Sequence, residues 1–140
     1  MNEAQNLLTQ LTQNVPYIVH LGLVFDVSEG ILTANLPYKP DLIGNPLVPA
    51  LHGGVIAAMM ELTAMGQVVL ASSSSENASQ KLPKTIDVSI DYLRTGKPET
   101  TFARATITKL GRQIANVEAI AWQSDETKPI AKLHGHFLLL

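Results

Sequence analysis

Residues 55–71 read Val-Ile-Ala-Ala-Met-Met-Glu-Leu-Thr-Ala-Met-Gly-Gln-Val-Val-Leu-Ala, so nearly every position is apolar or small. As a helix this run has no polar face, and the rest of the chain must enclose it. Glu61, Thr63 and Gln67 interrupt it, and it falls short of the roughly 20 residues that a bilayer span needs. It therefore reads as a core helix, over residues 52–71 with its lead-in, and no membrane partner is expected. Leu51-His52-Gly53-Gly54 precedes it. A glycine-led helix start offers unpaired backbone N–H groups at the positive end of the helix dipole. A carboxylate inside an apolar helix is expensive unless it is paired or used. The two features together suggest donors for a developing oxyanion and an acid that activates something.

The remaining sequence supplies the enclosure. Residues 3–12 read as a helix with an apolar stripe of Leu7, Leu8 and Leu11, and 16–20 as a further helical turn. Residues 23–36 carry strand formers on both sides of Glu29-Gly30, the pattern of a hairpin. Residues 37–50 hold Pro37, Pro40, Pro46 and Pro49 with Gly44 and Asn45, and read as a loop that delivers the chain to His52. Residues 72–81, with four consecutive serines, read as a polar connector. Strand patterns follow over 84–93, 100–110, 112–123 and 129–140, with turns at Gly111-Arg112 and Asp125-Glu126-Thr127. In the first of these, Ile86, Val88 and Ile90 alternate with Thr85, Asp87, Ser89 and Asp91. Strands joined by short turns predict an antiparallel meander. No strand–helix alternation of a parallel sheet is present. The expected class is α+β, an antiparallel sheet wrapped around one long central helix, in a single domain over residues 1–140 with a helical segment over 1–20.

Charge and composition narrow the functions. A net charge of −2 argues against a nucleic-acid partner. The absence of cysteine removes a disulfide scaffold, a thiolate nucleophile and cysteine-based zinc sites, and fits a cytoplasmic setting. No basic segment followed by an apolar run marks a signal peptide near the N-terminus. His134 and His136 share a strand face, but no third ligand is evident, so no metal site is expected.

Helix geometry adds a constraint. His52 and Glu61 are nine residues apart, which is about 13 Å of helix and about half a turn out of phase. Gly53 lies about 12 Å from Glu61 by the same rise. One helix cannot gather its first amides and its own Glu61 around one reacting atom. Two antiparallel copies can, which predicts a homodimer with sites shared between chains. In such a site the Gly53 N–H would polarise a carbonyl, and Glu61 would act as general base or nucleophile. Each half alone has a plainer reading: His-Gly-Gly as a loop-to-helix junction, Glu61 as a partner for an arginine across an interface.

The chain resembles the hotdog-fold acyl-CoA thioesterases of the phenylacetate-degradation (PaaI-like) branch. The matching residues are Leu51-His52-Gly53-Gly54, the acid nine residues after the histidine, Thr85-x-Asp87 leading to Tyr92-Leu93-Arg94, the Gly111-Arg112 turn, and Ala131-x-x-His134-Gly135-x-Phe137. The likeness covers roughly residues 20–140. It implies a thioester hydrolase acting on an aryl- or medium-chain acyl-CoA, with no cofactor beyond the coenzyme A of the substrate. It implies Glu61 as base or nucleophile, Gly53 as carbonyl-binding amide, His52 as a shaper of the site, and Thr85 as a holder of water or acid. The family's amide side chain six residues before the histidine falls on Pro46, and Asn45, one position further away, is the candidate for that catalytic role if the loop carries a one-residue insertion. A sheet around a helix, a homodimer and its pairing into a homotetramer are also implied.

Gly54 belongs to the same helix start and is a candidate substrate contact. Arg94, Lys97 and Arg112 suit the phosphates of coenzyme A or a solvated surface. Asp87 reads as a support for the loop near His52, and Trp122 as packing. Met59, Met60 and Met65 read as core or as lining of an acyl pocket. Two other functions remain in view. A hotdog-fold enoyl-thioester hydratase or dehydratase shares the Asp41-x-x-x-Asn45-Pro46 segment, although Leu47 and Val48 stand where its histidine would be. A non-catalytic acyl-CoA-binding protein would not depend on Glu61 for binding.

Overall fold

The long apolar run is a helix, and a sheet curves across it. The computed structural model describes residues 3–72 and 82–140. Two short helices open the chain, α1 (Glu3–Gln13) and α2 (Pro16–Leu21). Strands β1 (Val24–Ser28) and β2 (Ile31–Leu36) form the expected hairpin. Glu29 and Gly30 have φ of 52° and 75°, the left-handed pair that matches a two-residue hairpin loop to the twist of its strands. Then come β3 (Ile43–Asn45), β4 (Ala50–Leu51), the central helix α3 (Gly53–Ser72), β5 (Lys84–Tyr92), β6 (Thr101–Leu110), β7 (Ile114–Trp122) and β8 (Ala131–Leu138). The polar connector over 73–81 and the side chains of Leu7 and Leu11 lie outside the described residues.

The large sheet is antiparallel, in the order β1-β2-β6-β7-β8-β5. The expected meander holds for β6, β7 and β8. It fails for β5, which precedes β6 in the chain but pairs with β8 and becomes an outer edge. The connector over residues 93–100 makes this possible. Three strand spacings are about 14 Å, well within the reach of an eight-residue connector. It is tied down as it crosses: the N–H groups of Leu93 and Arg94 donate to Ile130 O, and Leu51 N–H donates to Gly96 O. Gln123, buried at the end of β7, accepts from Lys97 N–H and donates back to Lys97 O.

The inner face of the middle strands is a floor of alanines. Ala103, Ala105, Ala115, Ala119, Ala121 and Ala131 are all buried there, with Val117, Leu133 and Phe137 between them. Short side chains let the helix lie close, and the fully buried Met59 and Met60 fill the remaining space. At 20 residues, α3 is in fact long and apolar enough to cross a bilayer. Here the sheet takes up that surface, and each polar residue has a partner. Thr63 Oγ1 donates to Met59 O at 2.6 Å. Gln67 accepts from Leu32 N–H at 2.9 Å and donates to Gly30 O at 3.0 Å, joining the helix to the first hairpin. Burial is not complete all round. Ala57, Ala58, Glu61, Leu62 and Met65 form a half-buried stripe along one side of α3, which packs on β5 least of the long strands that follow it.

Gln67→Leu keeps the volume but leaves the partly buried Leu32 N–H without an acceptor. It should destabilise the fold by about 1–3 kcal/mol, read as a lower midpoint in urea with an unchanged slope.

Candidate active site

The loop that leads to α3 is more ordered than its prolines suggest. It contains a single 3-10 turn (Pro40–Leu42) and the two-stranded β3–β4 ribbon. Between Ile43 and Asn45 the ladder takes one extra residue, Gly44. A Cβ on Gly44 would lie 2.8 Å from His52 Cα, so only glycine lets this strand press against His52. The His52 N–H donates to Leu42 O at 2.8 Å, and its C=O accepts from Val55 and Ile56. The His52 ring caps the helix, with Nδ1 accepting from Gly54 N–H at 2.8 Å. A neutral ring that accepts at Nδ1 carries its proton on Nε2. The Gly53 N–H has no acceptor among the described residues. Asn45 stays on the exposed loop, where its Oδ1 accepts from Leu47 N–H at 3.0 Å in a local turn.

The acid is positioned by a bulge. In β5, Thr85 is opposite Phe137 but Asp87 is opposite His136, so Ile86 is an extra residue. Side-chain direction is reset across such a bulge. Thr85 therefore shares the inner face with Val88 and Ile90, not the outer face with Asp87, Ser89 and Asp91 as strict alternation predicts. Turned inward, Thr85 Oγ1 donates to Glu61 Oε2 at 2.9 Å. Oε1 of the same half-buried carboxylate has no donor among the described residues. Asp87, read above as a support near His52, is instead on the outer sheet face, 2.7 Å from His136 Nδ1. His134 and His136 share that face, as expected, with their rings edge to face. Trp122 is buried against Phe102 beneath the Arg104 guanidinium.

A cleft of ≈ 450 Å³ opens beside the helix start, lined by Ala50, Leu51, Gly53, Ile56 and residues 92–96. This is the size of a small-molecule site. Arg94 is at its wall, with Nη1 donating to Pro129 O at 2.7 Å. Lys97 follows directly, its backbone held by Gln123. Arg112 is not near it within one chain. It lies in the β6–β7 turn, at the other end of the sheet from Tyr92. Three residues of this region were not singled out by sequence spacing. Gly44 seats His52, and Gly96 packs against Leu51 and Ile56. Tyr92 donates its hydroxyl to Gly53 O at 2.7 Å. Only its place in the Tyr92-Leu93-Arg94 motif signalled it.

An antiparallel sheet curved over one long helix, with an acid at the helix middle and glycines at its start, defines a hotdog-fold enzyme. The family model described as thioesterase superfamily matches residues 49–130, more than half of the chain, and the chain belongs to that superfamily. It is 31% identical over 117 residues to the medium/long-chain acyl-CoA thioesterase YigI of Escherichia coli K12, covering 76% of this chain and 74% of that protein. The YigI of Salmonella typhimurium is 33% identical over 113 residues, covering 73% and 72%. A crystal structure of a Chromobacterium violaceum protein is similar with a TM-score of 0.72 and 36% identity, covering 100% of this chain and 98% of that one. The Escherichia coli PaaI protein from the phenylacetic acid degradation operon has a TM-score of 0.82 at 16% identity, covering 98% and 93%, a likeness of fold.

Thr85→Val keeps the shape of the side chain and removes its hydroxyl. Loss of a hydrogen bond to a charged group should slow thioester hydrolysis by roughly tenfold or more, and Thr85→Ser should keep most of the rate.

Proposed function

We propose that the chain hydrolyses acyl-CoA thioesters, with Glu61 as general base or nucleophile and the Gly53 N–H polarising the thioester carbonyl. The observation that carries this reading is the 2.9 Å bond from Thr85 to Glu61 Oε2. It occupies one carboxylate oxygen and leaves the other for the reaction. As a base, Glu61 takes a proton from water while the water oxygen adds to the carbonyl carbon. Negative charge grows on the carbonyl oxygen, where an amide at the positive end of a helix stabilises it. The intermediate then collapses, the C–S bond breaks, and the sulfur leaves as a thiolate that takes up the proton from Glu61. As a nucleophile, Glu61 forms an acyl anhydride with loss of the thiolate, and water then opens it. Both routes convert thioester and water into acid and thiol, and neither calls for a metal or a cofactor. His52 has Nε2–H to offer the thioester, and Gly54 leaves room for the His52 ring.

A medium-chain acyl group is the better supported substrate. The relatives at 31% and 33% identity are named for medium and long chains, whereas the likeness to PaaI is one of fold. The half-buried Leu62 and Met65 beside Glu61 suit an acyl chain. Arg94 and Lys97, beside the cleft, suit the phosphates of coenzyme A, and Arg112 would serve only as a neighbouring copy's residue. A homodimer, paired further into a tetramer, brings the Gly53 of one chain to the Glu61 of the other. The separation of about 12 Å within one helix supports this. So does β5, an outer edge strand on which Val88 is 37% exposed. A cytoplasmic setting suits a coenzyme A substrate.

The wild type should release thiol from medium-chain acyl-CoA, and Glu61→Ala should lose about 100-fold or more of the rate. An unchanged rate in that variant would overturn the mechanism. Sharing of sites has its own test. Gly53→Pro removes the amide at a helix position that tolerates proline. Mixed with Glu61→Gln chains, it should recover about a quarter of wild-type activity if dimers form at random with one intact site per heterodimer. No recovery would refute shared sites.

A further inference from the structure

The peptide unit between Gly53 and Gly54 is gripped at both ends. Its N–H, that of Gly54, donates to His52 Nδ1 at 2.8 Å. Its C=O, that of Gly53, accepts from the Tyr92 hydroxyl at 2.7 Å. Two glycines in succession hold a helical turn weakly, so grips on this plane from side chains add to what the helix backbone supplies. One grip is local. The other comes from the far end of β5, 39 positions along the chain. The fit there is close, since a Cβ on Gly53 would lie 3.2 Å from Tyr92 Oη and 3.3 Å from Cζ. The adjoining peptide unit, which carries the Gly53 N–H, pivots on the same Cα.

We propose that Tyr92 is a positioning residue for the carbonyl-binding end of α3. Its hydroxyl holds the Gly53–Gly54 plane, and that plane in turn fixes the aim of the Gly53 N–H and keeps the His52 ring in the tautomer protonated on Nε2. The role rests on the hydrolytic reading above. Tyr92 touches no reacting atom in it. It acts through Gly53 and His52.

Tyr92→Phe tests this, since it removes one hydroxyl from a side chain that is 54% exposed and should leave the melting temperature nearly unchanged. The expected result with medium-chain acyl-CoA is a fall in kcat of about tenfold with KM nearly unchanged, less than the roughly 100-fold or greater loss from deleting an oxyanion donor itself. Two readouts do not depend on turnover. The Gly54 amide should exchange faster with solvent, and nitrogen NMR of the His52 ring should show a smaller share of the Nε2-protonated tautomer. Gly53→Ala retains the amide but displaces Tyr92. It should cause a similar loss alone and little further loss in the Tyr92→Phe background, the non-additivity of residues acting through one contact. An unchanged kcat in Tyr92→Phe, a rise in KM alone, or losses that multiply fully in the double variant would each overturn the proposal. A wild type that turns over no acyl-CoA would sink the hydrolytic reading. An active wild type beside an equally active Tyr92→Phe would sink only the role of Tyr92.

Discussion

A helix with no polar face must be enclosed, and the other elements of this protein are arranged to do that. The alanine floor brings the middle strands close to α3, and larger side chains fill what that approach leaves. The hairpin of β1 and β2 is pinned to the helix through Gln67. The β5–β6 connector carries the chain across the sheet end, so that an additional strand continues the sheet beyond β8. Dispersion and hydrophobic burial favour this enclosure without specifying direction. The hydrogen bonds of Gln67, Gln123 and the crossing connector supply the register.

Enclosure and access pull in opposite directions, and the proposed site lies where enclosure stops. One stripe of α3 is only half-buried, and Glu61 is on it. A carboxylate there keeps contact with polar surroundings and avoids the large penalty of a sealed charge. At the helix start, two glycines weaken the first turn and bare an amide. The His52 cap, the Gly44 backbone and the Tyr92 hydroxyl restore order from outside. The groups proposed to react are thus held by neighbours whose own positions are set by backbone geometry.

Most of the architecture was legible in the sequence because it follows from periodicity and turn chemistry. The apolar run from Val55 to Ala71, the Glu29-Gly30 turn and the alternation in β6, β7 and β8 each have a local signature. The placement of β5 had none, because its neighbour is chosen by a connector that crosses other strands. The conjunction of His52, Gly53 and Glu61 was also visible, since an acid and a glycine pair are conspicuous in an apolar helix. What holds them was less so. Thr85 alternates cleanly with Asp87, Ser89 and Asp91 and yet belongs to the inner face. Gly44 looks like one more loop glycine, and Asn45 is used in its own turn. These are long-range or register effects, and spacing within a single element does not reveal them.

The bulge in β5 stores its information in an unusual form. Ile86 is an exposed residue with no place in the core, so many side chains should serve there equally well. Its presence still decides which way Thr85 points. The position is thus tolerant of identity and intolerant of number. In a population of related genes, substitutions at such a place would drift freely, while a gain or loss of a single codon would be purged.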